Sequence, residues 1–215
     1  MKQLIFFVVL SICIDASAQR QSKSRYKLGY KIGVTSHQIT GGRAKSGAKQ
    51  SLIGGVWCQI KLGKKWTAQA EVIFVEKGTG GFRKNRTPRI GEYAVSIMYF
   101  EFPVLFQYHI KKFAFEFGPG LGVLTYQYET LYGAPTPNMT STYPFTTKEF
   151  SFNVGCGYSF NEKWYLGLRY TNSLQPVRKQ IPDISKQVYN RVFAITVARK
   201  INLKKSKTKE AEVTE

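Results

Sequence analysis

The sequence predicts an all-β chain, an eight-stranded antiparallel up-and-down transmembrane β-barrel. Three observations predict it. Apolar and polar residues alternate with a period of two in eight segments. The links between segments are alternately short and long. Glycines share one strand face with isolated charges, while the opposite face is continuously apolar.

The elements can be justified in chain order, because successive strand side chains point to opposite sides. Segment 25–36 sets Leu28, Tyr30, Ile32 and Val34 against Lys27, Gly29, Lys31, Gly33 and Thr35. Segment 51–62 sets Leu52, Val56, Cys58 and Ile60 against Gly55, Trp57, Gln59 and Lys61. Segment 65–77 sets Ala70, Val72 and Phe74 against Gln69 and Glu71, and segment 92–108 sets Phe100, Phe102, Val104 and Phe106 against Glu101, Pro103 and Gln107. Segment 112–128 contains FAFEFGPGLGVLTYQY, with Phe113, Phe115 and Phe117 opposite Glu116, Gly118, Gly120 and Gly122. Segment 147–160 sets Phe150, Phe152, Val154 and Cys156 against Ser151, Asn153, Gly155 and Gly157. Segments 163–174 and 188–201 repeat the pattern, with Leu166, Leu168, Phe193 and Ile195 opposite Gly167, Arg169, Ala194 and Thr196. Turns at Gly63-Lys64, Ile110-Lys112 and Asn161-Glu162 alternate with long polar links at 37–50, 78–91, 129–146 and 175–187. Short turns at one end and long loops at the other describe an up-and-down barrel.

A soluble sandwich or a lipocalin-like barrel would share the alternation. The glycines favour a membrane barrel, because a water-facing strand gains nothing from repeated glycine. A narrow lumen, by contrast, needs small residues beside large ones. The charges on the glycine face, Lys27, Lys31, Glu71, Glu101, Glu116 and Arg169, are of both signs and can pair inside such a lumen. Tilted strands need about 9–11 residues to cross the apolar layer, which the segments supply. Aromatics near segment ends, among them Tyr26, Trp66, Tyr108, Trp164 and Tyr170, suit interfacial girdles.

The organisation follows. Residues 1–18 read as a secretory signal peptide: Lys2, an apolar stretch from Leu4 to Ile14, and Ala16-Ser17-Ala18 before the cleavage point. Cys13 follows Ile12 where a lipoprotein signal needs a small residue, which disfavours lipid attachment there. Residues 19–201 form one barrel domain, and the charged tail 202–215 is expected to be disordered. The 215-residue chain carries 32 Lys and Arg against 13 Asp and Glu, a formal net charge of +19. Such a surface attracts anions. Cys58 and Cys156 could form one disulfide, but both fall on the apolar face, where small membrane-facing residues are the simpler reading.

The strand motifs YFEFPVLFQY (99–108), FEFGPGLGVL (115–124), FNVGCGYSF (152–160) and YLGLRYTNSL (165–174) resemble successive strands of the PorT-like outer-membrane β-barrel family of Gram-negative bacteria. GYKIGVTSH (29–37), GGVWCQIKL (54–62) and AEVIFVEKG (70–78) resemble that family's first three strands. The resemblance implies an eight-stranded barrel in the outer membrane. The founding member serves a secretion and gliding apparatus; most relatives have no assigned activity, so the resemblance does not carry that role over.

The chemistry of the residues points away from catalysis. Gly118, Gly120 and Gly122 are spaced G-x-G-x-G and run on as strand, whereas dinucleotide binding needs G-x-G-x-x-G before a helix. His37, assigned to a long loop, and His109, at a turn, have no partner at metal-ligand spacing and read as solvated. No serine sits in a G-x-S-x-G setting. Neither a cofactor nor a metal is expected. The basic loops are the best functional signal: Arg43, Lys45 and Lys49 in the first, Arg83, Lys84, Arg86 and Arg89 in the second, and Arg178, Lys179 and Lys186 in the fourth. Candidate partners are outer-membrane lipid, lipopolysaccharide phosphates and an envelope protein. Nucleic acid is not expected, since no base-stacking module is present. The sequence thus predicts a monomeric, non-enzymatic barrel with a filled lumen and basic extracellular loops. A narrow channel for ions or small solutes and a soluble periplasmic ligand-binding barrel are the alternatives.

Overall fold

The computed structural model describes residues 26–42, 48–79, 93–131, 134–135, 142–178 and 185–201. The expected signal peptide and charged tail lie outside them. The strands are β1 (Tyr26–Gly42), β2 (Lys49–Lys61), β3 (Trp66–Thr79), β4 (Tyr93–Ile110), β5 (Phe113–Leu131), β6 (Ala134–Pro135), β7 (Lys148–Ser159), β8 (Trp164–Ser173) and β9 (Ser185–Ile201). All pairings are antiparallel, and β1 pairs with β9, so the sheet closes. The two residues of β6 only extend the rim of β5, which leaves eight strands in the ring. Closure gives the wall no free edge, the condition for a sheet to survive in hydrocarbon.

The register carries one face outward around the ring. Tyr30 lies opposite Val56, Val56 opposite Val72, and Ala70 opposite Val104. Ile32, Leu52 and Phe113 are 61%, 69% and 54% exposed, whereas Lys31, Glu71 and Glu116 are 6%, 3% and 4% exposed. A water-soluble barrel would have the reverse arrangement, so the soluble ligand-binding alternative is overturned. An apolar belt of this extent is stable only against lipid. Cys58 and Cys156 remain thiols on this outer face.

The short ends are tight. Lys111 takes a left-handed φ of 53° in the β4–β5 turn. Asn161 Oδ1 accepts hydrogen bonds from the backbone N–H groups of Lys163 and Trp164, at 2.8 and 2.9 Å, which fixes the β7–β8 turn. At the other end the wall is taller than the periodicity suggests. β1, β4, β5 and β9 have 17, 18, 19 and 17 residues, well beyond the number that crosses the apolar layer.

The lumen departs from expectation in its upper half, toward the long loops. Ile53, Ile73, Val75, Val95 and Ile97 point inward and pack with Phe145, Val177 and Val188 into a buried apolar cluster. Two loop segments close over it. Thr146 N–H donates to Val177 O at 2.8 Å, and Val177 N–H donates to Val188 O at 2.8 Å. The glycines work locally as space-makers: a Cβ on Gly157 would sit 2.0 Å from the Tyr165 hydroxyl oxygen, and one on Gly29 2.2 Å from the Trp57 ring.

Candidate functional site

Most of the buried charges of the lumen fall into two layers. In the layer nearer the short turns, β8 supplies Arg169, β3 Glu71, β5 Glu116 and β1 Lys31. Arg169 Nη1 and Nη2 donate to Glu71 Oε2 and Oε1 at 2.6 and 3.0 Å, and its Nε donates to Glu116 Oε1 at 2.7 Å. Lys31 Nζ donates to Glu71 Oε2 at 2.6 Å. Gln69 also donates to Glu71 Oε1 at 2.6 Å, and Gln107 donates to Glu116 Oε2 at 3.0 Å. Two cations and two anions thus meet with their lone pairs occupied, the condition under which buried charge is tolerated. The fork of Arg169 spans the lumen from β8 to β3 and β5, a geometry that a lysine could not reproduce.

Two of the six expected luminal charges do not join this layer. Lys27 forms no ion pair among the described residues. It lines a cavity of about 150 Å³ at the short-turn mouth with Trp57, Gln59, Tyr165 and Thr196. Glu101 pairs instead with Lys77, Nζ–Oε1 2.5 Å. That pair opens the second layer. Lys77 Nζ also reaches Glu149 Oε2 at 3.0 Å and lies 4.9 Å from the Tyr99 ring centroid. Ser173 and Asn190 donate to Glu149 at 2.5 and 3.0 Å. Sequence reasoning missed Lys77 and Glu149, although their odd-numbered parity, shared with Glu71 on β3 and with Ser151 on β7, was the available signal.

Four further expectations are corrected. His37 is not a solvated loop residue: β1 continues past it, and its ring is 1% exposed inside the lumen, 2.8 Å from Ser51 Oγ. His109 belongs to β4 and is half-buried, 2.8 Å from Thr67 Oγ1. Arg178 is not a solvated basic loop residue. It is 2% exposed, pairs with Glu129, donates to Tyr143 O at 2.6 Å and stacks 4.6 Å from the Phe145 ring centroid. Lys49, also assigned to a basic loop, begins β2 and pairs with Glu76 at 2.5 Å. Arg43, Lys45, Arg83, Lys84, Arg86, Arg89 and Lys179 lie outside the described residues, and so does the side chain of Lys186. Among the described residues no cluster of three or more His, Cys, Asp or Glu could hold a metal.

A model of the family described as outer membrane protein beta-barrel domain matches residues 17–178. A comparison with curated proteins finds no match. Several solved structures are similar at low identity. Ail of Yersinia pestis, solved in complex with the heparin analogue sucrose octasulfate, is 9% identical; the alignment covers 82% of this chain and 99% of Ail, with a TM-score of 0.46. Neisserial surface protein A is 9% identical, with 84% and 100% covered and a TM-score of 0.47. Outer membrane protein W of E. coli is 11% identical, with 80% and 97% covered and a TM-score of 0.38.

Proposed function

The chain belongs to the outer membrane protein beta-barrel domain family, and on that premise we propose that it is a closed, non-enzymatic outer-membrane barrel that acts through its long-loop rim. The observation that carries this reading is the cross-lumen fork of Arg169 on Glu71 and Glu116. It fills the bore with charge that is already satisfied, leaving a permeating ion no open coordination. Above it, the Lys77–Glu149 layer and the apolar cluster under Phe145 and Val177 occupy the rest of the bore. An eight-stranded barrel is about wide enough to be filled in this way.

With the bore closed, the exposed chemistry lies at the ends. The short turns and both termini face the periplasm and the long loops face the exterior. Arg83, Lys84, Arg86 and Arg89 present four cations in the second long loop, suited to lipopolysaccharide phosphates or to an acidic envelope protein. The strand motifs resemble those of PorT-like barrels, and that likeness supports an envelope role without carrying over the founder's secretion role. The second reading, a narrow channel, draws on the cavity of about 150 Å³ at the short-turn mouth, where Lys27 stands without an ion pair among the described residues. Planar-bilayer recording of the purified protein decides between them. The closed reading expects no stable conductance steps, and steps that persist after repurification would overturn it.

A further inference from the structure

The rim formed by the short turns is basic in a way the mechanism of the bore does not use. Lys64 and Lys65 occupy the β2–β3 turn, Lys111 and Lys112 the β4–β5 turn, and Lys163 the β7–β8 turn, all exposed. Arg199 and Lys200 end β9 beside them. Glu162 is the one carboxylate among the described residues of this rim. No ion pair neutralises Arg199, Lys163 or Lys200 among the described residues.

Exposed apolar side chains are interleaved with these cations. Leu62 and Phe160, in the turns themselves, are 56% and 54% exposed, and Ile110 and Ile201 flank them. The cations also rest on the outward-facing aromatics. The Arg199 guanidinium lies 5.2 Å from the Trp164 ring centroid, with Nη1 3.4 Å from the Tyr30 hydroxyl, and Lys65 Nζ lies 5.8 Å from the Tyr108 ring centroid. Tyr30, Lys163, Arg199, Lys200 and Ile201 enclose an outer-wall notch of about 340 Å³.

We propose that this rim is a binding surface for anionic phospholipid headgroups of the periplasmic leaflet, with the Arg199–Lys163–Lys200 notch as its strongest phosphate site. Lipid is favoured over an acidic soluble protein because Arg199, stacked on Trp164, sits on the outer wall at the lower limit of the apolar belt, with Lys200 at the adjoining luminal mouth. There Leu62, Phe160 and Ile201 reach acyl chains while the charged ends reach the headgroups. A phosphodiester presents oxygens to the guanidinium fork of Arg199, with the lysines of the rim adding positive charge beside it. The aromatic faces hold the arginine in place without cancelling its charge. The assignment rests on the orientation proposed above, with the short turns toward the periplasm.

The test is lipid retention by the purified full chain in native mass spectrometry, with phosphatidylglycerol competing against phosphatidylcholine. The folded protein is expected to retain phosphatidylglycerol preferentially. Lys163→Gln/Arg199→Gln is expected to cut that preference by about five-fold per charge removed. Lys148→Gln/Arg191→Gln, exposed at the long-loop end of the wall, is expected to leave it unchanged. Heat-modifiable gel mobility checks folding; if the rim variant fails it, Lys111→Gln/Lys112→Gln carries the same comparison from a neighbouring turn. Equal retention of the two lipids overturns the proposal. So does a preference that survives the rim variants, or one lost only in the long-loop variant. Rim-dependent capture of an acidic periplasmic protein without phospholipid preference overturns it in favour of a protein partner. Surface labelling of Lys64→Cys in intact cells reports the orientation separately, and bilayer conductance reports the bore separately, so failure of either is distinguishable from failure here.

Discussion

Arg169 on β8 grips Glu71 on β3 through two parallel hydrogen bonds of 2.6 and 3.0 Å, across the bore and between residues 98 apart in the chain. Both side chains are almost wholly buried, at 9% and 0% exposure. Arg169→Leu leaves two carboxylates facing Lys31 alone. The expected cost is about 3–5 kcal/mol, the range for breaking a buried ion pair from one side. Urea unfolding in lipid vesicles measures it. Arg169→Lys keeps the charge but loses the fork, and is expected to fall between the leucine variant and the native chain. An Arg169→Leu variant as stable as the native chain would remove this layer from the account of stability.

The second expectation concerns the upper closure. Arg178 and Glu129 hold the loop segments 142–147 and 174–178 against the bore, with Phe145 under the guanidinium. Arg178→Met is expected to speed amide exchange at Thr146 and Val177, whose bonds of 2.8 Å tie the two segments to each other and to β9. The strands nearer the short turns should exchange as before, because local opening is confined to the unit that loses its contacts. Exchange that rises evenly through all strands would mean that Arg178 supports the whole barrel instead.

Gly157 tests the space-making argument. An added Cβ would meet the Tyr165 ring at 2.0–2.1 Å and the Leu166 carbonyl oxygen at 2.6 Å. Gly157→Ala is expected to cost about 1–3 kcal/mol by overpacking. Adding Tyr165→Leu should recover part of the loss, since it frees the ring contact and not the backbone one. A double-mutant cycle in vesicles reads the coupling, and strict additivity would deny it.

The outward face can be probed by depth. Phe117 sits four residues above the β4–β5 turn on the apolar belt, while Leu174 lies past the loop end of β8. Phe117→Arg is expected to cost about 2–4 kcal/mol in vesicles and Leu174→Arg about 0–1 kcal/mol. Equal costs at the two positions would place the membrane elsewhere on this wall.

Much of the fold was legible because the pleat makes alternation a direct record of facing. Phe113, Phe115 and Phe117 stand outward and Glu116 inward, as their parity alone requires. The same rule reached Arg169 and Glu71. At the strand ends it had more to give: one residue past segment 25–36 it reaches His37, and at the ends of segments 65–77 and 147–160 the inner parity includes Lys77 and Glu149. Arg178 carried no such signal. It follows the last residue of β8 by five positions, in irregular backbone that has no period to read.

The sequence by itself determined the class of structure: eight crossings, a lipid-facing side, a charged inner side and two unlike ends. These are properties of nearest neighbours along a strand, set by the two-residue pleat and by turn chemistry. Only the tertiary structure decided which inner charges meet. Closing a tilted sheet staggers each strand against the next, so the height at which a residue enters the lumen depends on the accumulated register around the ring. That stagger brings Arg169 level with Glu71 and Glu116, sends Glu101 to Lys77, and leaves Lys27 at the mouth. Position along the chain contains none of those heights, because they exist only once β9 has found β1.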